Sequence, residues 1–167
     1  MSMTADDSRG LPLAAPQASP SIHDDFTAFY EREIARQTRR AVLLLGSREA
    51  ALDAVHDAFT AVYERWDRLV QPGPYLERAV LNRCRDLGRR RAVALRHVQA
   101  AALDVPAIDA PLFDALATLP FNHRAAVVLR YYHQSTEAEI ADLLGCRPGS
   151  VGPWITRGLR QLAKELS

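Results

Sequence analysis

Residues 136–162, TEAEIADLLGCRPGSVGPWITRGLRQL, leave the chain little choice of local structure. Thr136 is placed to cap a helix, and Glu139, three residues on, to complete a capping box. Ile140, Ala141, Leu143 and Leu144 recur at the spacing of one helix face. Gly145 follows, where a residue without Cβ turns the chain with least strain. A second helix with basic residues comes next, so the segment reads as a helix-turn-helix, the motif that lays its second helix in the DNA major groove. Gly152-Pro153-Trp154 sits inside that second helix. Proline lacks a backbone donor and crowds the preceding turn. The helix is therefore expected either to start near Ser150, with Pro153 in its first turn, or to bend.

Helical periodicity dominates elsewhere, and almost no segment alternates with period two. Asp24 or Asp25 is placed to cap a helix reaching Leu45, with Phe26, Phe29, Tyr30, Ile34 and Thr38 on one face. Ser47 opens a second helix over about 48–68, carrying Ala51, Leu52, Val55, Phe59, Val62, Tyr63 and Trp66. Gln71-Pro72-Gly73-Pro74 reads as a break, followed by a third helix from Tyr75 to about Arg90. A short helix over 112–119 is stopped by Pro120, and a longer one runs over about 121–133. The expected fold is all-α: two small helical domains, 23–97 and 112–167, joined by a linker at 98–111 after a flexible tail at 1–22.

The net charge of the 167 residues is only +1, yet the charges are segregated. Between Leu76 and His97, seven arginines (78, 83, 85, 89, 90, 91, 96) stand against Glu77 and Asp86, a balance of +5. Residues 98–118 hold Asp104, Asp109 and Asp114 and no basic residue, giving −3; from Arg147 onward the balance is +3. Two basic segments separated by an acidic one suit two nucleic-acid contacts. An apolar fraction of 48% excludes wholesale disorder. No apolar run approaches the length that crosses a membrane, and the N-terminal stretch lacks the apolar centre of a signal peptide. Cys84 and Cys146 read as reduced thiols of a cytoplasmic protein. The histidines at 23, 56, 97, 123 and 133 show no metal spacing, and no nucleophile elbow, phosphate loop or carboxylate cluster occurs. Neither an enzyme nor a metal or cofactor site is expected.

Three runs carry a further signal. Residues 53–59, DAVHDAF, are followed by Tyr63 and Trp66-Asp67. Pro74-Tyr75-Leu76 is followed by Ala79, Asn82, Asp86 and the arginines 89–91. Leu119-Pro120, Arg124 and the run Val128-Leu129-Arg130-Tyr131-Tyr132 precede Ala138-Glu139-Ile140-Ala141. In this order and spacing they resemble, in turn, region 2.2, the minus-ten-binding stretch and region 4 of the bacterial sigma-70 family, extracytoplasmic-function (ECF) class. The resemblance covers about residues 24–166. It implies core RNA polymerase and promoter DNA as partners, an anti-sigma factor as regulator, and no bond-making catalysis. It assigns polymerase binding to Asp53, His56, Asp57 and Phe59. The minus-ten element falls to Tyr75, Arg78, Asn82, Arg83, Arg85, Arg89, Arg90 and Arg91. The minus-35 element falls to Arg147, Ser150, Trp154, Thr156, Arg157 and Arg160. Where the family carries a Lys-Ser-Arg-like triplet, this chain has Gly152-Pro153-Trp154. Two readings stay open: a promoter-directing factor, or a sigma-like interaction protein or helix-turn-helix regulator whose minus-35 reading is altered or lost.

Overall fold

The structure, a computed structural model, describes the backbone of residues 22–94 and 110–167, and side chains over 25–90 and 110–167. The expected tail, up to residue 21, and the expected linker, up to residue 109, lie outside the described residues. Within them every element is helical, which is the all-α fold class expected. The helices are α1 (Ile22–Leu45), α2 (Arg48–Tyr63), α3 (Pro72–Ala94), α4 (Ala110–Thr118), α5 (Phe121–Val127), α6 (Glu137–Leu144) and α7 (Pro148–Glu165). A 3-10 turn, Trp66–Arg68, precedes α3, and α5 widens into a π turn at Val128–Tyr132. Helices α1–α3 form one bundle and α4–α7 a second; α1 and α3 also pack against the second.

Several boundaries follow from simple capping. The Ser47 side chain accepts from the Ala50 N–H at 3.3 Å and starts α2. The capping box at α6 is complete: Glu139 N–H donates to the Thr136 hydroxyl at 3.3 Å, and Thr136 N–H donates to Glu139 Oε2 at 2.7 Å. Gly145 closes α6 with φ of 63°, in the left-handed region. Two expectations need correction. The 71–74 break is not one, because α3 begins at Pro72. First-turn N–H groups have no intrahelical acceptor, so prolines there forfeit nothing. Nor does α7 start near Ser150. It starts at Pro148, which leaves Pro153 in the interior as its sixth residue. The carbonyl deprived of a donor, that of Gly149, belongs to an exposed residue where water can replace the lost bond.

The end of α1 holds the molecule together. Ala41-Val42-Leu43-Leu44-Leu45 is buried on every side, as a helix must be when elements pack all round it. One turn earlier, Gln37 and Arg40 are also buried, at 0% and 1% exposure. Arg40 lies at the seam between the bundles. Its Nη2 donates to Glu77 of α3 at 3.2 Å, and its Nη1 donates to Gln37 at 3.3 Å. Its Nε donates to His133 Nε2, beyond the π turn, at 2.7 Å. Glu77 is shared with Arg36 at 3.0 Å. A second arginine, Arg124, ties the seam from the other side. It donates to the carbonyls of Leu44 (2.5 Å), Ala117 (3.0 Å) and Leu119 (2.9 Å), covering orphan carbonyls at the ends of α1 and α4.

A buried cation stripped of its anion is costly. Glu77→Ala should therefore lower the unfolding free energy by about 3 kcal/mol in urea denaturation. Arg40→Met, which removes the charge and keeps the volume, should cost clearly less. His133 supplies a pH handle. Burial, then the Arg40 and Arg36 cations, hold its imidazole down from 6.5 to about 4. Between those values the unfolded chain binds more protons, so stability is complete above pH 6.5 and falls as the pH drops toward 4. His133→Gln should flatten that slope in thermal melts recorded from pH 7 down to 4.5.

Candidate nucleic-acid interface

Three surfaces hold the residues singled out by sequence. On α2, Asp53, His56 and Asp57 are exposed together, as their i, i+3, i+4 spacing requires. His56 Nε2 lies 3.3 Å from the Tyr30 hydroxyl, which steadies the ring. Phe59 does not belong to this face. It is 3% exposed and packs its ring against Phe29 (6.1 Å) and Tyr30 (4.7 Å). It is core, and supports the face from beneath. Trp66 joins the same aromatic cluster at 5.2 Å from both Phe26 and Phe29.

The second surface is an open groove of about 300 Å³ between α2 and α3, lined by Ala58, Ala61, Tyr75, Arg78, Asn82 and Arg83, among others. Small side chains on α2 make the space. Tyr75 offers a ring for stacking, Asn82 a planar donor and acceptor, and Arg78 and Arg83 the cations a phosphate backbone needs. Each arginine leans on an exposed acid: Arg78 on Asp142 at 2.8 Å and Arg83 on Asp57 at 3.9 Å. Such surface pairs contribute about 1 kcal/mol at most, so a phosphate can displace them. Arg85 is not in the groove. It turns to the second bundle, where it donates to the Leu144 carbonyl at 2.9 Å and stacks over Phe121 at 5.8 Å. Arg89 and Arg90 are exposed further along α3; the Arg91 side chain lies outside the described residues.

The third surface is α7. Val151, Ile155, Gly158 and Leu162 form its buried stripe. Thr156, Arg157 and Arg160 are exposed on the opposite side, together with Pro153, while Arg147, also exposed, directly precedes the helix. Ser150 and Trp154 are half-buried, and Trp154 packs against the core rather than standing free. Sequence reasoning missed Ala58, Ala61, Asp142 and His133. None has a local signature, because each gains its role only from a partner on another helix.

Residues 110–162 match the family described as Sigma-70, region 4. That stretch carries a sigma-70 region 4 domain. The match runs from α4 through the helix-turn-helix, α6 and α7. The whole fold is similar to that of the sigma factor RpoE from Bartonella quintana, solved in complex with the anti-sigma factor NepR: TM-score 0.68, 19% identity, 85% of this chain and 96% of that one. It is also similar to CnrH, solved with the cytosolic domain of CnrY: TM-score 0.64, 25% identity, 86% and 88% coverage. The pair of helical bundles is the fold that these two proteins share. No curated protein sequence matches the chain. Among the described residues no helix is long and apolar enough to cross a membrane.

Gly158 fixes how α7 sits on region 4. A Cβ there would lie 2.8 Å from Val127 Cγ2 and 3.4 Å from the His123 carbonyl. Valine is stiff at χ1 and cannot swing clear. Gly158→Ala should thus destabilise by about 1–2 kcal/mol, the overpacking outweighing the gain in helix propensity. Urea denaturation measures it, and a stabilised variant would show that the two helices separate freely.

Proposed function

We propose that this protein is a sigma-70 family factor of the ECF class, which binds core RNA polymerase and directs it to promoters. Its work is positioning and strand capture, not bond-making. The exposed face of α2, with Asp53, His56 and Asp57, docks on basic groups of the polymerase. The α2/α3 groove holds unpaired bases of the minus-ten strand, and α7 reads the minus-35 duplex. In this reading region 2 occupies 23–97 and region 4 begins with α4, with the connection between them serving as the linker. The observation that carries it is the groove itself. A ring, an amide and two loosely held cations converge on one face, which is what single-stranded DNA requires. RpoE and CnrH were each solved with a protein partner, and we extend a regulator of the anti-sigma kind to this chain. Promoter and polymerase place its action in the cytoplasm.

One observation favours a second reading, in which polymerase docking persists and minus-35 reading is weak. Pro153 stands on the exposed face of α7 beside Thr156, Arg157 and Arg160, where a cationic side chain would reach a phosphate. Run-off transcription with core polymerase on a library of promoter fragments separates the two. The first reading expects discrete start sites and a fall of about tenfold or more in open complexes for Tyr75→Ala with Asn82→Ala, since each lost stacking or base contact costs about 1–3 kcal/mol. Core binding without any promoter-specific transcript would leave only the second.

A further inference from the structure

The N-terminal half of α7 is almost bare of polar side chains. A helix-turn-helix touches base edges with the N-terminal residues of its second helix. Here those residues are Pro148-Gly149-Ser150-Val151-Gly152-Pro153, and among them only Ser150, half-buried, has a polar side chain. The missing chemistry comes from α6. A Cβ at Gly152 would lie 3.3 Å from Oε2 of Glu137 and 3.7 Å from its Oε1, so the carboxylate rests on uncovered α7 backbone. Gly149, Gly152 and Thr156 share one flank of α7 by their i, i+3, i+7 spacing. Glu137, Gly149 and Thr156 are all exposed. The three acids of α6 differ in how they are held. Glu139 accepts from the Thr136 N–H at 2.7 Å, and Asp142 pairs with Arg78 at 2.8 Å. Among the described residues Glu137 has no ion pair or hydrogen bond.

We infer that Glu137 is a base-selecting residue of the α7 face, choosing cytosine at one position of the duplex that α7 reads. The inference rests on the minus-35 reading proposed above. An ionised carboxylate can only accept. In the major groove guanine presents N7 and O6 and thymine presents O4, all acceptors that repel it. Adenine sets its N7 acceptor beside its amino group, whereas cytosine offers an N4 amino group with no acceptor of its own beside it. A carboxylate that meets no donor is left facing phosphates, so wrong sequences are rejected and not merely unrewarded. Gly152 is part of the device. Any side chain there would fill the seat of the carboxylate, and a cationic one would pair the acid and silence it. Pro153, next along, has no donor to compete for it.

The test uses the full chain bound to core RNA polymerase, which selects from duplexes randomised across both promoter elements; the retained sequences are then read. Wild type should enrich cytosine about tenfold at one position of the upstream element, the scale of a single base contact. Glu137→Gln should replace that cytosine by adenine, whose N6 and N7 match the amide. Gly152→Ala keeps the charge and fills the seat. The exposed, flexible carboxylate gives way and alanine suits a helix, so the fold persists while the cytosine enrichment drops severalfold. Glu165→Gln, the same charge change at the far end of α7, should leave the cytosine in place. An unaltered base preference in Glu137→Gln, or a gain for all sequences alike, overturns the inference, since the carboxylate then acts as charge alone. Enrichment of a downstream element with no upstream element removes the α7 reading, and the inference with it. Enrichment of neither removes the promoter-directing function itself.

Discussion

The burial of one guanidinium organises this molecule. Arg40 is 1% exposed, and a cation taken out of water must find partners for its donors or it unfolds what encloses it. It finds one a turn away, Gln37 on its own helix, and two that are distant in sequence, Glu77 on α3 and His133 beyond the π turn. That requirement sets how α1 meets α3 and where the second bundle comes to rest. It also settles the state of His133, which must stay neutral to accept from the cation. Arg124 does the complementary job with backbone, gathering three carbonyls from two helix ends. Two arginines thus define a junction that apolar packing alone would leave free to slide.

Around that junction the cationic side chains divide into two kinds. Arg40 and Arg124 are enclosed and pulled down in pKa by burial, although they remain charged. Arg78 and Arg83 are exposed and loosely paired. The first kind carries structure, because removing its partners strands a charge. The second kind is available for exchange, because solvent already screens each pair. The function proposed above, which holds a shape while trading acids for phosphates, calls for both kinds, and here they are separated by depth.

Local chemistry made much of this legible in the sequence. The capping box at Thr136 and Glu139, the Ser47 cap and the Gly145 turn are contacts within four residues, and each formed as the spacing requires. The arginine-rich face of α3 and the acidic face of α2 followed from helical period. What escaped were boundaries at proline and meetings across the chain. Pro72-Gly73-Pro74 looked like a stop, yet a first turn accepts it; Pro153 looked like a start, yet an exposed helix interior accepts that too. Phe59 lay on the expected polymerase stretch, but only the fold shows its ring closed in by Phe29 and Tyr30. The partnership of Arg40 with His133 joins residues 93 apart, and nothing near either one announces it.

The placement of Pro153 bears on the DNA-reading role proposed for α7. A residue at the centre of an exposed helix face usually offers a side chain that reaches outward; this one offers a ring that ends near the backbone. Trp154, next in line, is turned into the core flank. The cationic reach of α7 therefore comes from either side of the proline, Arg147 before the helix start and Arg157 with Arg160 one and two turns beyond it. Contacts split in this way fit the sugar-phosphate backbone on either side of a groove better than a run of base edges at its floor, since phosphate contacts fix register while base edges carry sequence. Under the promoter-directing function proposed above, discrimination between promoters would then fall mainly to the groove between α2 and α3, which Tyr75 and Asn82 line.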